Sequence, residues 1–342
     1  MVTYLIILAL LFILELIYFR IADRFDIIDK PNERSSHKTI VLRGGGVVFL
    51  FGVWLWAICF GFTYPLFLLG LTAISVISFL DDVQSQSVLL RLFVHFTSVV
   101  LLLSECWMDS GQAATSAHIV IYATVGIIAL IVAAGVINAF NFMDGINGIT
   151  GGYAIAVLLP LLYLDTEGLA LTGLIQPFVE PSLIIVTLLA ALVFCFFNFR
   201  KQARCFAGDV GSVSIAFIIV FVLGNLLLQT HDCIYVLFLA VYGVDVVLTI
   251  CHRIMLHEHL GVAHRKHAYQ LMANELHIPH TTVAAFYAIL QLVISAGLIF
   301  VPWPWLYCAC ILAMLCLAYI WFMRKYYHLH AEYLKQIQQD AD

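Results

Sequence analysis

Of 342 residues, 63% are hydrophobic and only 11% are charged, and the mean hydropathy is +1.02. A soluble domain is roughly half apolar and about one quarter charged, so a soluble enzyme and a nucleic-acid-binding chain are both excluded. The net charge of −5 matters less than where the charges lie.

A bilayer's apolar core asks for about 20 residues per helix. On that measure spans are predicted near 2–20, 44–61, 63–80, 92–107, 118–137, 149–164, 181–198, 210–229, 233–252, 281–301 and 304–323. The run from Met1 to Phe19 has no basic residue before it and no small-residue cleavage site ahead of Arg20, so a retained span is expected rather than a cleaved signal. Connections alternate between two sides. One side holds 21–43, 81–91, 138–148, 199–209, 253–280 and a tail, 324–342; with Arg20 it carries all sixteen Lys and Arg. The other carries Asp109, Asp165, Glu167, Glu180 and Asp232 instead.

Lys and Arg collect on the cytoplasmic side of membrane proteins. The expectation is an all-α polytopic integral membrane protein of about eleven transmembrane helices, amino terminus outside and carboxyl terminus cytoplasmic. Residues 1–323 form one transmembrane domain with polar motifs in its cytoplasmic loops. The tail is read as an interfacial anchor, Arg324 to Tyr327, followed by a short polar helix. The nine cysteines, among them Cys59, Cys195, Cys308, Cys310 and Cys316, lack the paired spacing of disulfides or zinc sites and read as small core residues.

The first cytoplasmic loop carries Arg34 and His37, then Arg43-Gly44-Gly45-Gly46 opening a helix. Glycines ahead of a helix let backbone N–H groups approach an anion, and cationic side chains suit phosphate. The bland alternative is a basic topogenic loop with a close helix contact. The second loop opens on Asp81 and Asp82 at the end of an apolar run. An aspartate deep in lipid costs roughly 2.5–3.5 kcal/mol, so the pair marks an aqueous helix end. Adjacent carboxylates repel unless a cation or proton intervenes, which suggests a metal or phosphate site, against a mere polar stop signal.

In the third loop Asn138, Asn141 and Asp144 recur at i,i+3 and share a face if the helix persists. An Asp-Gly/Asn-Gly turn explains the end of that stretch but not the asparagines. The fourth holds Gly208-Asp209-Val210-Gly211, where capping the next helix is a sufficient structural reason for Asp209 and metal binding is the functional one. The fifth follows Asp245, an acid inside a span, with Arg253, His264, Arg265 and His267. His264 and His267 are three apart and suit one phosphate, whereas His257 and His259 read as solvated surface. Separated carboxylates with phosphates favour Mg²⁺ over zinc, and the sum points to phosphoryl chemistry at the inner membrane surface.

The ordered set Asp29-x-Pro-Asn-x-Arg-Ser-Ser-His37, Arg43-Gly-Gly-Gly, Asp81-Asp82, Asn138-x-x-Asn141-x-x-Asp144-Gly, Phe206-x-Gly-Asp209-x-Gly-Ser and His264-Arg-x-His267-x-Tyr-Gln resembles the polyprenyl-phosphate N-acetylhexosamine-1-phosphate transferases of glycosyltransferase family 4. These are related to the bacterial phospho-N-acetylmuramoyl-pentapeptide translocase, and the histidine stretch is most similar to the branch that initiates O-antigen and related surface polysaccharides. The resemblance implies transfer of N-acetylhexosamine 1-phosphate from a UDP-sugar to undecaprenyl phosphate, with release of UMP. It also implies Mg²⁺, with Mn²⁺ as a substitute, a place in the bacterial inner membrane with the site on the cytoplasmic face, and a homodimer as the suggested assembly.

Carried over by matching position, the resemblance makes Asp81, Asp82, Asp144, His264 and His267 catalytic, and Asp209 with Asp82 the metal ligands. Arg34, His37, Arg43, Gly45, Asn138, Asn141, Arg253 and Arg265 become substrate-binding, with Asp245 near the site. The chain departs from the pattern at Asn147, where many relatives have a second Asp, at Val41-Leu42, where Pro is common, and at Ala207, where most are bulkier. A transporter of a lipid-linked or anionic solute is the rival from another class, but transporter sites lie near the midplane and these motifs sit at helix ends. A non-catalytic scaffold is the second rival.

Overall fold

The structure, a computed structural model, describes residues 1–29, 40–111, 119–259, 261 and 264–341. Arg34 and His37 lie outside the described residues. The first half of the chain forms α1 (Val2–Arg24), α2 (Val47–Phe60), α3 (Pro65–Val83), α4 (Val88–Asp109), α5 (Ile119–Met143) and α6 (Ile149–Asp165). The second forms α7 (Leu169–Thr172), α8 (Pro181–Asn198), α9 (Gly208–Thr230), α10 (Ala240–Met255), α11 (Ala268–Asn274), α12 (His280–Phe300) and α13 (Pro304–Ala341). A 3-10 segment, Cys233–Leu239, leads into α10.

The protein is an all-α polytopic membrane protein. Among the described residues nine helices, with the 3-10 segment and α10 taken as one, are long and apolar enough to cross a membrane; α2 and α6 are shorter apolar helices. An apolar helix therefore lies at each of the expected spans. The local starts follow simple chemistry. Pro65 and Pro181 open α3 and α8, where a missing N–H costs nothing, and the Ser87 hydroxyl accepts the Leu90 N–H at the start of α4.

Two expectations change. The tail is not a separate helix, because α13 runs unbroken from Pro304 to Ala341 with no later Gly or Pro to stop it. The cysteines are not uniformly core: Cys106, Cys205 and Cys308 are buried, but Cys59 and Cys310 are exposed, on helices whose outward faces are themselves apolar.

The site is positioned by α9. Its residues from Val210 to Phe221 are all buried, and it packs against α2, α3, α4, α5 and α6. Phe67 of α3 stacks on Phe217 and Phe221 of α9. At the α9 amino end lies the only strand pairing among the described residues. β1 (Ile28–Asp29) and β2 (Val41–Leu42) pair antiparallel, and Leu42 bridges in parallel to Cys205. This brings Arg43 and the stretch before α9 side by side.

Candidate active site

Asp82, near the carboxyl end of α3, turns its carboxylate onto the first turn of α9. Oδ1 accepts the Asp209 N–H at 2.9 Å and Oδ2 accepts the Val210 N–H at 3.0 Å. The Arg43 Nε adds an ion pair to Oδ1 at 2.7 Å, and the Asp82 side chain is wholly buried. First-turn N–H groups have no partner within their own helix, and a carboxylate there is doubly favoured by hydrogen bonding and the helix dipole. The cap of α9 is therefore supplied by Asp82 from another helix. Asp209, expected as the cap, instead stands inside the first turn with its side chain released toward the solvent-accessible space. Gly208 has φ +70°, and a Cβ there would meet Asp82 Oδ2 at 2.5 Å, so only glycine lets the carboxylate reach the helix end.

The triple glycine also differs from expectation. The Gly45 N–H donates to the Phe206 carbonyl at 2.9 Å and the Gly46 N–H to Ala207 at 3.1 Å. These donors are spent inside the protein, so Gly45 is not an anion-binding amide. The glycines serve contact: a Cβ on Gly46 would meet the Gly211 Cα at 2.2 Å. Packing this tight seats Arg43 beside α9, its Nη2 3.5 Å from Asp209 Oδ1.

Asp81 faces the other way. It accepts the Gln86 N–H at 2.7 Å and pairs with Arg91 Nη1 at 2.5 Å, and the same nitrogen stands 4.0 Å from Asp209 Oδ2. Asp209 thus lies between two guanidinium groups without close contact to either.

Two cavities meet at this point. One, of about 310 Å³, is polar and is lined by Arg43, Asn141, Asp144, Asp209, Gln270 and His280, among others. The second, of about 380 Å³, is half apolar; Leu92, Phe96, Val99 and Phe142 form its greasy part, and Asp81, Arg91, His95 and Asn138 its polar end. Asn141 and Asp209 line both. The helix α5 does persist through Asn141, yet its asparagines divide. Asn138 faces the half-apolar cavity and donates to the Ala134 carbonyl, and Asn141 stands at the junction, where its Oδ1 accepts from the Ser212 hydroxyl at 3.3 Å. Asp144, just past α5, lines the polar cavity and accepts from the Thr150 hydroxyl at 2.5 Å. Loss of water around its carboxyl pushes its pKa up to about 7, and the Thr150 bond opposes the shift.

The departure at Asn147 has a physical reason. Its Nδ2 donates to the Arg200 and Lys201 carbonyls at 2.9 and 3.2 Å. An aspartate in this position would face two carbonyl oxygens with no proton to offer. Asn198 completes the staple, accepting the Gly148 N–H and donating to the Cys205 carbonyl.

The histidine stretch lies apart from these walls. Arg253 is buried, its Nε 3.2 Å from Glu258 Oε2, and Lys266 pairs with the same carboxylate. Arg265 pairs with Glu275 at 3.5 Å. His267 packs on Asp245, and the His264 ring centroid is 5.1 Å away. Burial, with His267 close by, drives the His264 pKa down to about 3. None of these four expected residues lines either cavity; Gln270 and His280 do. Those two, with Arg91 and His95, were not among the expected site residues. His95 lies four residues after Arg91, one helical turn along α4, and that spacing was a readable signal. For His280, directly after Pro279 at the start of α12, no spacing pointed to the site.

Among the described residues no group of three or more His, Cys, Asp and Glu could hold a metal ion. A magnesium ion asks for less, since it keeps waters and takes substrate phosphates as ligands beside one or two carboxylates. Asp209 fits that role, with its side chain 23% exposed and the guanidinium nitrogens no closer than 3.5 Å. Asp82 fits it less well, because its wholly buried carboxylate already accepts two N–H groups and pairs with Arg43.

A family model described as glycosyl transferase family 4 matches residues 64–226, a stretch containing Asp81, Asp82, Asn141, Asp144 and Asp209. The chain is 26% identical over 217 residues to an undecaprenyl-phosphate alpha-N-acetylglucosaminyl 1-phosphate transferase of Yersinia pestis, covering 60% of this chain and 56% of that protein. It is 25% identical over 205 residues to a probable undecaprenyl-phosphate N-acetylglucosaminyl 1-phosphate transferase of Bacillus subtilis, covering 58% and 55%. A decaprenyl-phosphate N-acetylglucosaminephosphotransferase of Mycobacterium leprae is 28% identical over 221 residues, covering 57% and 53%. The match thus spans little more than half the length of these curated relatives.

Proposed function

We propose that the chain is a member of glycosyl transferase family 4 and that it transfers N-acetylhexosamine 1-phosphate from a UDP-sugar to undecaprenyl phosphate, releasing UMP. The reaction is placed on the cytoplasmic face of a bacterial inner membrane, as the first membrane step of a surface polysaccharide. The relatives' names support the reaction class. The observation that carries the reading is the wall shared by the two cavities: Asn141 and Asp209 face a polar cavity on one side and a half-apolar one on the other. A water-soluble nucleotide sugar and a lipid phosphate need such unlike spaces, and their phosphates need to meet.

In this reading the polar cavity takes the UDP-sugar, with Arg43 beside its diphosphate and Asn141 and Asp144 offering hydrogen-bonding groups. The half-apolar cavity takes the first isoprene units of the lipid, and Arg91, held by Asp81, pairs with its phosphate. Asp209 would hold Mg²⁺, which when bound would supply positive charge to neutralise the diphosphate and the charge that develops on the leaving phosphate. An oxygen of the lipid phosphate then bonds to the sugar-linked phosphorus, and the bridging P–O bond breaks in line, its electron pair leaving with UMP. The attacking oxygen is already ionised near neutral pH, so positioning and charge neutralisation do most of the work. Asp82 acts through the helix end it caps and through Arg43.

The test supplies membranes containing the protein with UDP-N-acetylglucosamine and undecaprenyl phosphate and measures UMP, with a panel of UDP-sugars to find the preferred hexosamine. Release that requires the lipid and Mg²⁺, stops with chelator and returns with Mg²⁺ is the expected result. If no UDP-sugar in the panel yields UMP while the protein moves a lipid-linked solute across vesicles, the transporter reading takes its place.

A further inference from the structure

The outer face of α1 and α8 is divided between grease and charge. Leu16 and Ile17 of α1 and Leu192 and Phe196 of α8 are exposed, and Phe12 meets Phe196 with ring centroids 5.5 Å apart, so the two helices present one apolar surface. Each stripe ends in arginine. Arg20 stands one turn beyond Leu16 on α1. Arg200, just past the end of α8, donates from Nε to the Phe196 carbonyl at 2.6 Å and so stays over its own stripe.

The arginines of the connection after α8 are seated on rings. The Arg200 guanidinium lies 4.8 Å from the Phe196 centroid and 5.9 Å from that of Phe197. Arg204 lies 4.8 Å from Phe19 of α1 and 5.9 Å from Phe197, and those two rings meet edge-on at 4.9 Å. Both cations therefore share Phe197 and straddle the seam between the helices. A guanidinium over an aromatic ring keeps its N–H edge for an acceptor. Arg20, Arg24, Arg200, Lys201 and Arg204 are all exposed, and none makes an ion pair among the described residues, although Asp23 and Asp26 stand on the same end of α1. Sorting charge across a membrane requires only that Lys and Arg lie on one side. It does not require two of them to sit on rings above a lipid-facing stripe.

We propose that the seam of α1 and α8 binds an anionic phospholipid, its phosphate on Arg200 and Arg204 and its chains along Leu16, Leu192 and Phe196. Basic pockets between membrane helices recognise such headgroups. The surface shares no helix with the half-apolar cavity, whose walls are α3, α4, α5 and α9, so its occupant is a bilayer lipid and not the polyprenyl acceptor. The seam is nevertheless tied to the polar cavity. Asn147, in that cavity's wall, donates to the Arg200 and Lys201 carbonyls, and the same connection runs on to Cys205, which bridges to Leu42 beside Arg43. A headgroup that fixes Arg200 also fixes the anchor of Asn147, and a lower KM for the nucleotide sugar follows. That consequence rests on the transferase reading; the lipid site does not.

The test reconstitutes the full chain in phosphatidylcholine nanodiscs with a trace of photoactivatable phosphatidylglycerol or photoactivatable phosphatidylcholine, and maps the labelled peptides. Phosphatidylglycerol should label the α1 and α8 peptides several-fold more than phosphatidylcholine does. Arg200→Gln with Arg204→Gln should remove most of that preference, whereas Arg324→Gln with Lys325→Gln, cations at the same side on α13, should keep it. Equal labelling by the two lipids, or equal loss in both double variants, would overturn the site. If the Arg200/Arg204 variant does not insert, the wild-type comparison of the two lipids still decides. Displacement of the label by excess undecaprenyl phosphate would assign the seam to the acceptor and would also overturn the proposal. UMP release in vesicles then reads the coupling: KM for the UDP-sugar should rise several-fold when phosphatidylglycerol is left out, and an unchanged KM would uphold the site and overturn its link to the cavity. Selective labelling in a chain that releases no UMP from any UDP-sugar upholds the lipid site and sinks the transferase reading, so the two failures are distinguishable.

Discussion

The two ends of α3 are built alike and differ in one respect. At its amino end Glu105 of α4 reaches over, and its Oε2 accepts the Leu66 and Phe67 N–H groups at 2.5 and 3.0 Å. At its carboxyl end, about 28 Å away at 1.5 Å per residue, Asp82 makes the same kind of bond to the first turn of α9. Both acids are buried and both satisfy helix N–H groups. Among the described residues, though, only the Asp82 end has cations within ion-pair reach, Arg43 and Arg91, and they flank a second acid, Asp209, whose oxygens are not committed to the backbone. A buried carboxylate at a helix end is thus ordinary architecture in this protein. The chemistry lies in the acid the architecture leaves over.

If that distinction holds, substitutions at the two acids of the active end should separate. Asp209→Asn should lower UMP release by roughly 100–1,000-fold or more, the scale for removing a group that stabilises developing charge. It should leave the melting temperature in detergent nearly unchanged, because Asp82 still caps α9. A large fall in melting temperature would mean that Asp209 is structural after all. Asp82→Ala should lower both, since it strands the half-buried Arg43 and two N–H groups at once; breaking a buried pair from one side costs about 3–5 kcal/mol. Activity lost at unchanged stability in Asp82→Ala would instead favour a direct role for Asp82 at the metal.

Much of this was legible in the sequence, and what was not has a common cause. The apolar runs, the end of α3 at Asp81 and Asp82, and the persistence of α5 to Asn141 follow from helical period and the cost of charge in lipid, both local properties. The identity of the cap on α9 is not local. Asp209 sits where a cap is usually found, but the cap comes from 127 residues earlier. Likewise Gly45 and Gly46 look like a phosphate loop until their N–H groups are seen to meet Phe206 and Ala207. In a helical bundle the partner of a helix end comes from a neighbour in space, and a pattern read along one chain segment does not name it.

The glycine contact offers a sharper test of the same point. Gly211→Ala would place a Cβ 2.6 Å from the Gly46 Cα. Backbone cannot yield as a side-chain tip does, so α9 and the Arg43 loop must separate, at a cost of about 1–3 kcal/mol for overpacking. Because Arg43 moves with the loop, UMP release should fall as well, with the larger change in KM for the UDP-sugar. Full activity in a folded Gly211→Ala protein would remove Arg43 from the diphosphate.

The smallest effect is expected at the quiet end of α3. Glu105→Gln keeps an oxygen to accept the Leu66 and Phe67 N–H groups and loses only the charge beside the helix dipole. Replacing a charged acceptor by a neutral one at a helix amino end costs about 0.3–1 kcal/mol. The melting temperature should therefore drop by a few degrees at most, and UMP release per folded molecule should equal that of the wild type. A Glu105→Gln protein that stays folded but releases UMP markedly more slowly would mean that charge at the far end of α3 reaches the site, and the two ends would then have to be treated as one coupled unit.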